Sequence, residues 1–98
     1  MIFTEKTFWV TGAASGMGRA VSIGLGAHKA RVIISDRDEE GLKQTAAEIE
    51  KAGGSVRIEP MDMTQTQHIF DTAQRVIADA EKIAGLYQFA GISQRSLV

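Results

Sequence analysis

The chain of 98 residues balances 11 Lys and Arg against 12 Asp and Glu for a net charge of −1, with 44% apolar and 23% charged residues. That is the composition of one ordinary globular domain, and it lacks the clustered basic charge that a nucleic-acid partner requires. The absence of cysteine excludes disulfides and thiolate metal sites, and no apolar run approaches the ~18 residues of a membrane span or forms a signal-peptide core, so a cytoplasmic protein is expected.

Taken in order, Phe8-Trp9-Val10 is a short run of strand-forming residues, and the first strand is expected from about Lys6 to Thr11. Thr11-Gly12-Ala13-Ala14-Ser15-Gly16-Met17-Gly18 follows it. Ala20, Val21, Ile23, Leu25 and Ala27 then repeat at roughly helical spacing, which predicts a helix from Met17 to His28. A strand, a glycine-rich turn and a helix in that order aim the first-turn N–H groups and the positive end of the helix dipole at the turn. Such a turn favours an anion, typically a phosphate. The spacing is G-x-x-x-G-x-G, neither the commoner G-x-G-x-x-G nor a P-loop, since Arg19 follows Gly18. Taken alone, the glycines leave a plain tight turn as the lesser alternative. Gly24 and Gly26 each cost about 1 kcal/mol against alanine inside a helix; the reading preferred is that they let the helix lie close on the sheet.

Arg31 to Ser35 is an apolar run of the kind buried on both faces of a parallel sheet, and it ends at Asp36. Asp38 is an expected N-cap, with Glu39 and Glu40 in the first turn and a buried stripe of Leu42, Ala46 and Ile49. Gly53-Gly54 closes that helix. Strand three runs from Ser55 to Glu59 with Val56 and Ile58 on one face, and Pro60 stops it. Asp62 or Thr64 is expected to cap a third helix, whose broad apolar face comprises Ile69, Ala73, Val76 and Ala80 flanked by Phe70 and Ile77. Strand four is expected from Ile83 to Phe89, ended by Ala90-Gly91. Four strands alternating with three helices imply an α/β fold. Its four-stranded parallel sheet should have the order 3-2-1-4, half of a doubly wound fold with a crevice at the carboxyl ends of strands one and four. His28 and His68 lie far apart without ligand-like partners, so no metal site is expected.

The segment TGAASGMGRA, a strand ending in Asp36, Asp62 after the third strand and AGIS from Ala90 together resemble the short-chain dehydrogenase/reductase family over essentially the whole chain. The resemblance implies an oxidoreductase and a Rossmann fold. It casts residues 1–98 as the N-terminal dinucleotide-binding part of that domain, truncated before the catalytic half. It implies that Gly12, Ser15, Gly16, Met17 and Gly18 face the adenosine ribose and pyrophosphate, with Ser15 offering a hydroxyl and Met17 and Gly18 offering backbone N–H groups. It implies that Asp36 accepts from both ribose hydroxyls and repels a 2′-phosphate, favouring NAD over NADP, while Arg37 beside it is a group able to receive that phosphate. Asp62 matches the position that reads the adenine amino group, Met63 supplies a backbone contact, and Ala90 and Gly91 pass close to the nicotinamide ribose.

Two departures stand out against the family pattern. Its Asn-Asn-Ala-Gly reads Gln88-Phe89-Ala90-Gly91, and its glycine after the first helix is replaced by His28-Lys29-Ala30, so that turn is either strained or rebuilt. The family's catalytic Tyr-x-x-x-Lys is absent as well. Tyr87 is the only tyrosine, Gly91 stands in the lysine place, and no catalytic residue is expected here. Two functions follow. One is the NAD(P)-binding segment of an enzyme that transfers hydride between a nicotinamide and an alcohol or carbonyl; the other is a stand-alone nucleotide-binding module, regulatory or paired with another chain. Self-association is also expected, through strand four with Leu86, Tyr87 and Phe89 as an unpaired edge, and through a sheet face covered by the third helix alone.

Overall fold

The computed structural model describes residues 6–62, 64–80, 83 and 85–88. Met63, Phe89, Ala90 and Gly91 lie outside the described residues. The elements are β1 (Thr7–Thr11), α1 (Gly16–Ala27), β2 (Arg31–Ser35), α2 (Glu39–Lys51), β3 (Ser55–Ile58), α3 (Thr66–Ala80) and β4 (Gly85–Gln88). The strands form a parallel sheet in the order β3-β2-β1-β4, with Phe8 opposite Val32 and Gly85, and Val32 opposite Val56.

Alternation along the two central strands divides the core into two layers, because successive side chains point to opposite faces. Phe8, Val10, Val32 and Ile34 join Ala13, Ala14, Leu25, Leu42, Ala46 and Ile49 in one cluster, beneath α1 and α2. Trp9 and Ile33 turn the other way and pack with Met61 and Val76, flanked by Ile69, Ala73 and Ile83, beneath α3. In α2 the Asp38 carboxylate accepts from Gly41 N at 3.0 Å, with Glu39 and Glu40 in the first turn.

Several expectations change once the helices are docked. Gly24 meets nothing within 4 Å of where a Cβ would stand, so it has no packing role. Gly26 is a close-contact glycine, but its neighbour belongs to α2 rather than the sheet: a Cβ there would stand 2.8 Å from Ile49 Cγ2. The apolar face of α3 is narrower than its composition suggests: Val76 is buried, whereas Phe70 and Ile77 are 62% and 59% exposed. Ile58, on edge strand β3, is exposed while Val56 packs on the first cluster. Neither Asp62 nor Thr64 caps α3. The Gln65 carbonyl accepts the Ile69 N–H at 3.1 Å, and Asp62 serves the turn ahead of the helix instead.

The turn after α1 keeps its geometry without a glycine. Ala30 N donates to Leu25 O and Lys29 N to Gly26 O, the paired bonds of a Schellman motif, and Lys29 takes φ 68 to make them. Gly54 N and Gly53 N close α2 on Ile49 O and Glu50 O in the same way, there with Gly53 at φ 99.

Candidate cofactor site

The glycine-rich loop leaves β1 and is drawn at once onto the end of β2. Gly12 N and Ala13 N both donate to the Ser35 carbonyl, at 2.8 and 3.1 Å, and Ala14 N donates to Asp36 Oδ2 at 3.2 Å. The path requires φ 71 at Gly12 and φ 58 at Gly16. At Gly18 the requirement is steric, since a Cβ there would stand 2.0 Å from the Gly12 carbonyl oxygen. Ser15 is the N-cap of α1, yet its side chain makes no capping bond and the first turn carries no acid. The first-turn N–H groups of Gly16, Met17 and Gly18 therefore have no partner within the helix, and the dipole adds positive potential where they point. Ser15, Gly16 and Met17 are exposed. Such a loop end can host an anion.

Asp36 sits beside it. Its two carboxylate oxygens accept from Ala14 N and, at 3.1 Å, from Asp38 N. A carboxylate offers about four acceptor positions, so the bonds that orient Asp36 leave it capacity for further donors. Met61 N donates to Asp36 O at 3.1 Å and brings the segment after β3 to the same end of the sheet. Arg37 Nη1 lies 3.8 Å from Asp62 Oδ1, with its own side chain 70% exposed. Asp62 Oδ1 accepts from Thr64 Oγ1 at 2.6 Å and Thr64 N at 2.9 Å, and those bonds, aided by the Arg37 charge, hold its carboxyl below the usual range. Asp62 N donates to His68 Nδ1 at 3.1 Å, which makes that ring nitrogen an acceptor. The structure thus gathers Gly12, Ser15, Gly16, Met17, Gly18, Asp36, Arg37 and Asp62 at the carboxyl end of the sheet.

The sequence profile of the short chain dehydrogenase family matches residues 6–98. The chain belongs to this family. It is 33% identical over 93 residues to a fatty acyl-CoA reductase of Acinetobacter baylyi, covering 95% of this chain and 32% of that enzyme. A metagenomic short-chain oxidoreductase solved in complex with NADP superposes with a TM-score of 0.83 at 31% identity, over 88% of this chain and 39% of the other. NAD+-bound xylitol dehydrogenase gives 0.81 at 27% identity, over 88% and 33%. The chain spans about a third of the length of the relatives it matches. These short-chain dehydrogenase neighbours bind NAD in one case and NADP in the other.

Within the family fold, three polar groupings escape a reading of sequence spacing. Arg19 crosses from α1 to α2, where Nε donates to Thr45 Oγ1 at 3.0 Å and Nη2 donates to Ala14 O. Thr45 Oγ1 donates to Ala13 O at 2.8 Å. The available signal is Thr45 itself, a polar residue on the buried side of α2 among Leu42, Ala46 and Ile49. Buried Glu59 accepts from Arg57 Nε at 2.8 Å and Arg75 Nη2 at 2.8 Å. Trp9 Nε1 donates to Ser35 Oγ at 2.9 Å. Among the described residues no group of three or more His, Asp or Glu is placed to hold a metal ion, and no helix is long and apolar enough to cross a membrane.

Proposed function

We propose that this chain is the dinucleotide-binding segment of a cytoplasmic short-chain dehydrogenase, one half of a doubly wound Rossmann fold, and that it holds NAD in preference to NADP. The observation that carries the reading is the Asp36 carboxylate, held by Ala14 N and Asp38 N at the end of β2 beside the open first turn of α1. In this reading Ser15, Gly16, Met17 and Gly18 meet the phosphates and the adjoining ribose, and Gly12 gives the loop its turn. Asp36 accepts from the ribose hydroxyls, Asp62 and Met63 meet the adenine, and Ala90 and Gly91 meet the nicotinamide ribose. The bound nicotinamide supplies hydride exchange with an alcohol or carbonyl; the residues of this chain bind and orient it. No residue here is assigned the proton transfer, because Tyr87 has Gly91 in the lysine place. Self-association belongs to the same reading, supported by β4 at an edge of the described sheet and by exposed Phe70 and Ile77 on α3.

Fluorescence titration with NADH and NADPH tests the cofactor choice. NADH is expected to bind more tightly, and Asp36→Ala to narrow the gap by about 1–3 kcal/mol, the order of magnitude for hydrogen bonds that involve a charged group. Equal affinities in the unmodified protein would remove the role given to Asp36.

A further inference from the structure

Two adjacent residues of the glycine-rich loop, Ala13 and Ala14, are held through both their N–H and their carbonyl groups. The peptide joining them is thus fixed at both ends, and the Ala14–Ser15 peptide at its carbonyl. The Ala13 and Ala14 N–H groups donate to Ser35 O at 3.1 Å and Asp36 Oδ2 at 3.2 Å. Their carbonyls are held as well, Ala13 O by Thr45 Oγ1 at 2.8 Å and Ala14 O by Arg19 Nη2. The two clamping side chains are themselves joined through Arg19 Nε and Thr45 Oγ1 at 3.0 Å, and Arg19 Nη2 reaches Gln44 Oε1 at 3.3 Å. Thr45 is fully buried, and its hydroxyl both donates and accepts, so removing it orphans two partners at once.

The consequence is electrostatic. An anion at this loop meets whichever end of each peptide dipole faces it. A peptide unit that turns over places a carbonyl oxygen where the positive end had been, and that oxygen repels a phosphate. With Ala13 O and Ala14 O tied to Thr45 and Arg19, the Ala13–Ala14 and Ala14–Ser15 peptides cannot turn over without breaking those hydrogen bonds, the first buried and the second part-buried. The first-turn N–H groups of α1 then remain the groups that face the crevice. Gly41 reinforces the arrangement, because a Cβ there would stand 2.7 Å from Ala14 Cβ.

We infer that Arg19 and Thr45 are positioning residues for the dinucleotide, a tether through which α2 sets the loop's conformation and thereby its affinity for the phosphates. The affinity part rests on the cofactor reading above; the conformational part does not. Thr45→Val removes the hydroxyl and Thr45→Ser keeps it. Amide hydrogen exchange in the free protein is expected to speed up about tenfold at Ala13 and Ala14 in Thr45→Val, with Val32 to Ile34 unchanged and Thr45→Ser like the unmodified protein. NADH is expected to bind Thr45→Val about tenfold more weakly, while adenosine, which carries no phosphate, binds within about twofold of the unmodified protein. Arg19→Lys, which cannot span Ala14 O and Thr45 together, supplies the same readings if Thr45→Val fails to fold. Unchanged exchange at Ala13 and Ala14 overturns the tether. Equal loss of NADH and adenosine, or a Thr45→Ser as weak as Thr45→Val, overturns the positioning role. If the unmodified protein binds neither NADH nor NADPH, the cofactor reading and the affinity part fall together, and the exchange result still decides the tether.

Discussion

The two faces of the sheet are held by different means. Under α1 and α2 the contacts are so close that backbone meets backbone: a Cβ on Gly18 would overlap the Gly12 carbonyl, and one on Gly54 would stand 2.5 Å from Gly26 Cα. Under α3 the buried apolar residues, among those described, are Trp9, Ile33, Met61 and Val76. Beside them Glu59 binds two arginines, one of them Arg75 on α3 itself. The glycine-rich loop belongs to the first face, through Ala13 and Ala14 in its core. The loop is thus anchored where shape leaves little freedom. The opposite helix adds to its apolar contacts an anchor of charge, which pH can address.

The largest expected effect comes from breaking the close-packed face. Gly18→Ala places a methyl against Gly12 O at 2.0 Å and Gly12 C at 2.7 Å, both backbone atoms that cannot yield without moving the loop. A loss of about 3 kcal/mol is expected, with NADH binding abolished, measured by urea unfolding followed through Trp9 fluorescence. A variant as stable as its parent would show that the loop has slack the contact distances deny.

The charged face is broken at Glu59. Burial by itself would raise its carboxyl pKa, but hydrogen bonds from Arg75 and Arg57, and then their charges, outweigh burial and hold it below the ordinary 4.5. A carboxylate whose folded pKa is depressed contributes stability above its unfolded pKa and loses that contribution as pH falls through the folded value. Glu59→Gln is therefore expected to cost about 2 kcal/mol at neutral pH, the arginines being partly solvated. The difference from the parent should shrink below about pH 4. Unfolding at both pH values checks this; a difference constant with pH would mean that packing, not charge, ties α3 to β3.

The smallest effect sharpens the comparison from the close-packed side. The turns after α1 and α2 carry the same pair of hydrogen bonds, but one has Lys29 at φ 68 and the other Gly53 at φ 99. A left-handed conformation costs an L-residue about 1–2 kcal/mol, part of which glycine returns through its greater freedom when unfolded. Lys29→Gly is expected to stabilise by about 1 kcal/mol, visible as a raised thermal midpoint. A decrease would mean that the lysine side chain, which lies over Gly53, contributes more than its backbone costs.

Features governed by residues close in sequence were legible without the structure. Phe8-Trp9-Val10 and Arg31 to Ser35 read as strands, the second buried on both faces, Asp38 declared a helix start and Gly53 a helix end, and Gly12 to Gly18 declared a turn at a helix N-terminus. Each is set by interactions within a few residues, where backbone sterics and local hydrogen bonds dominate.

The tertiary structure alone decided which distant groups meet. It placed Gly26 against Ile49 rather than the sheet, left Phe70 and Ile77 in solvent, and moved the start of α3 past Asp62 and Thr64. It also joined Arg19 to Thr45, Trp9 to Ser35 and Glu59 to Arg75. It settled as well how the turn after α1 is made without a glycine, with Lys29 itself in the left-handed conformation. Spacing along the chain specifies which face a side chain occupies. Its partner on that face depends on how the helices dock, which is set by the sum of many weak contacts that no short stretch contains.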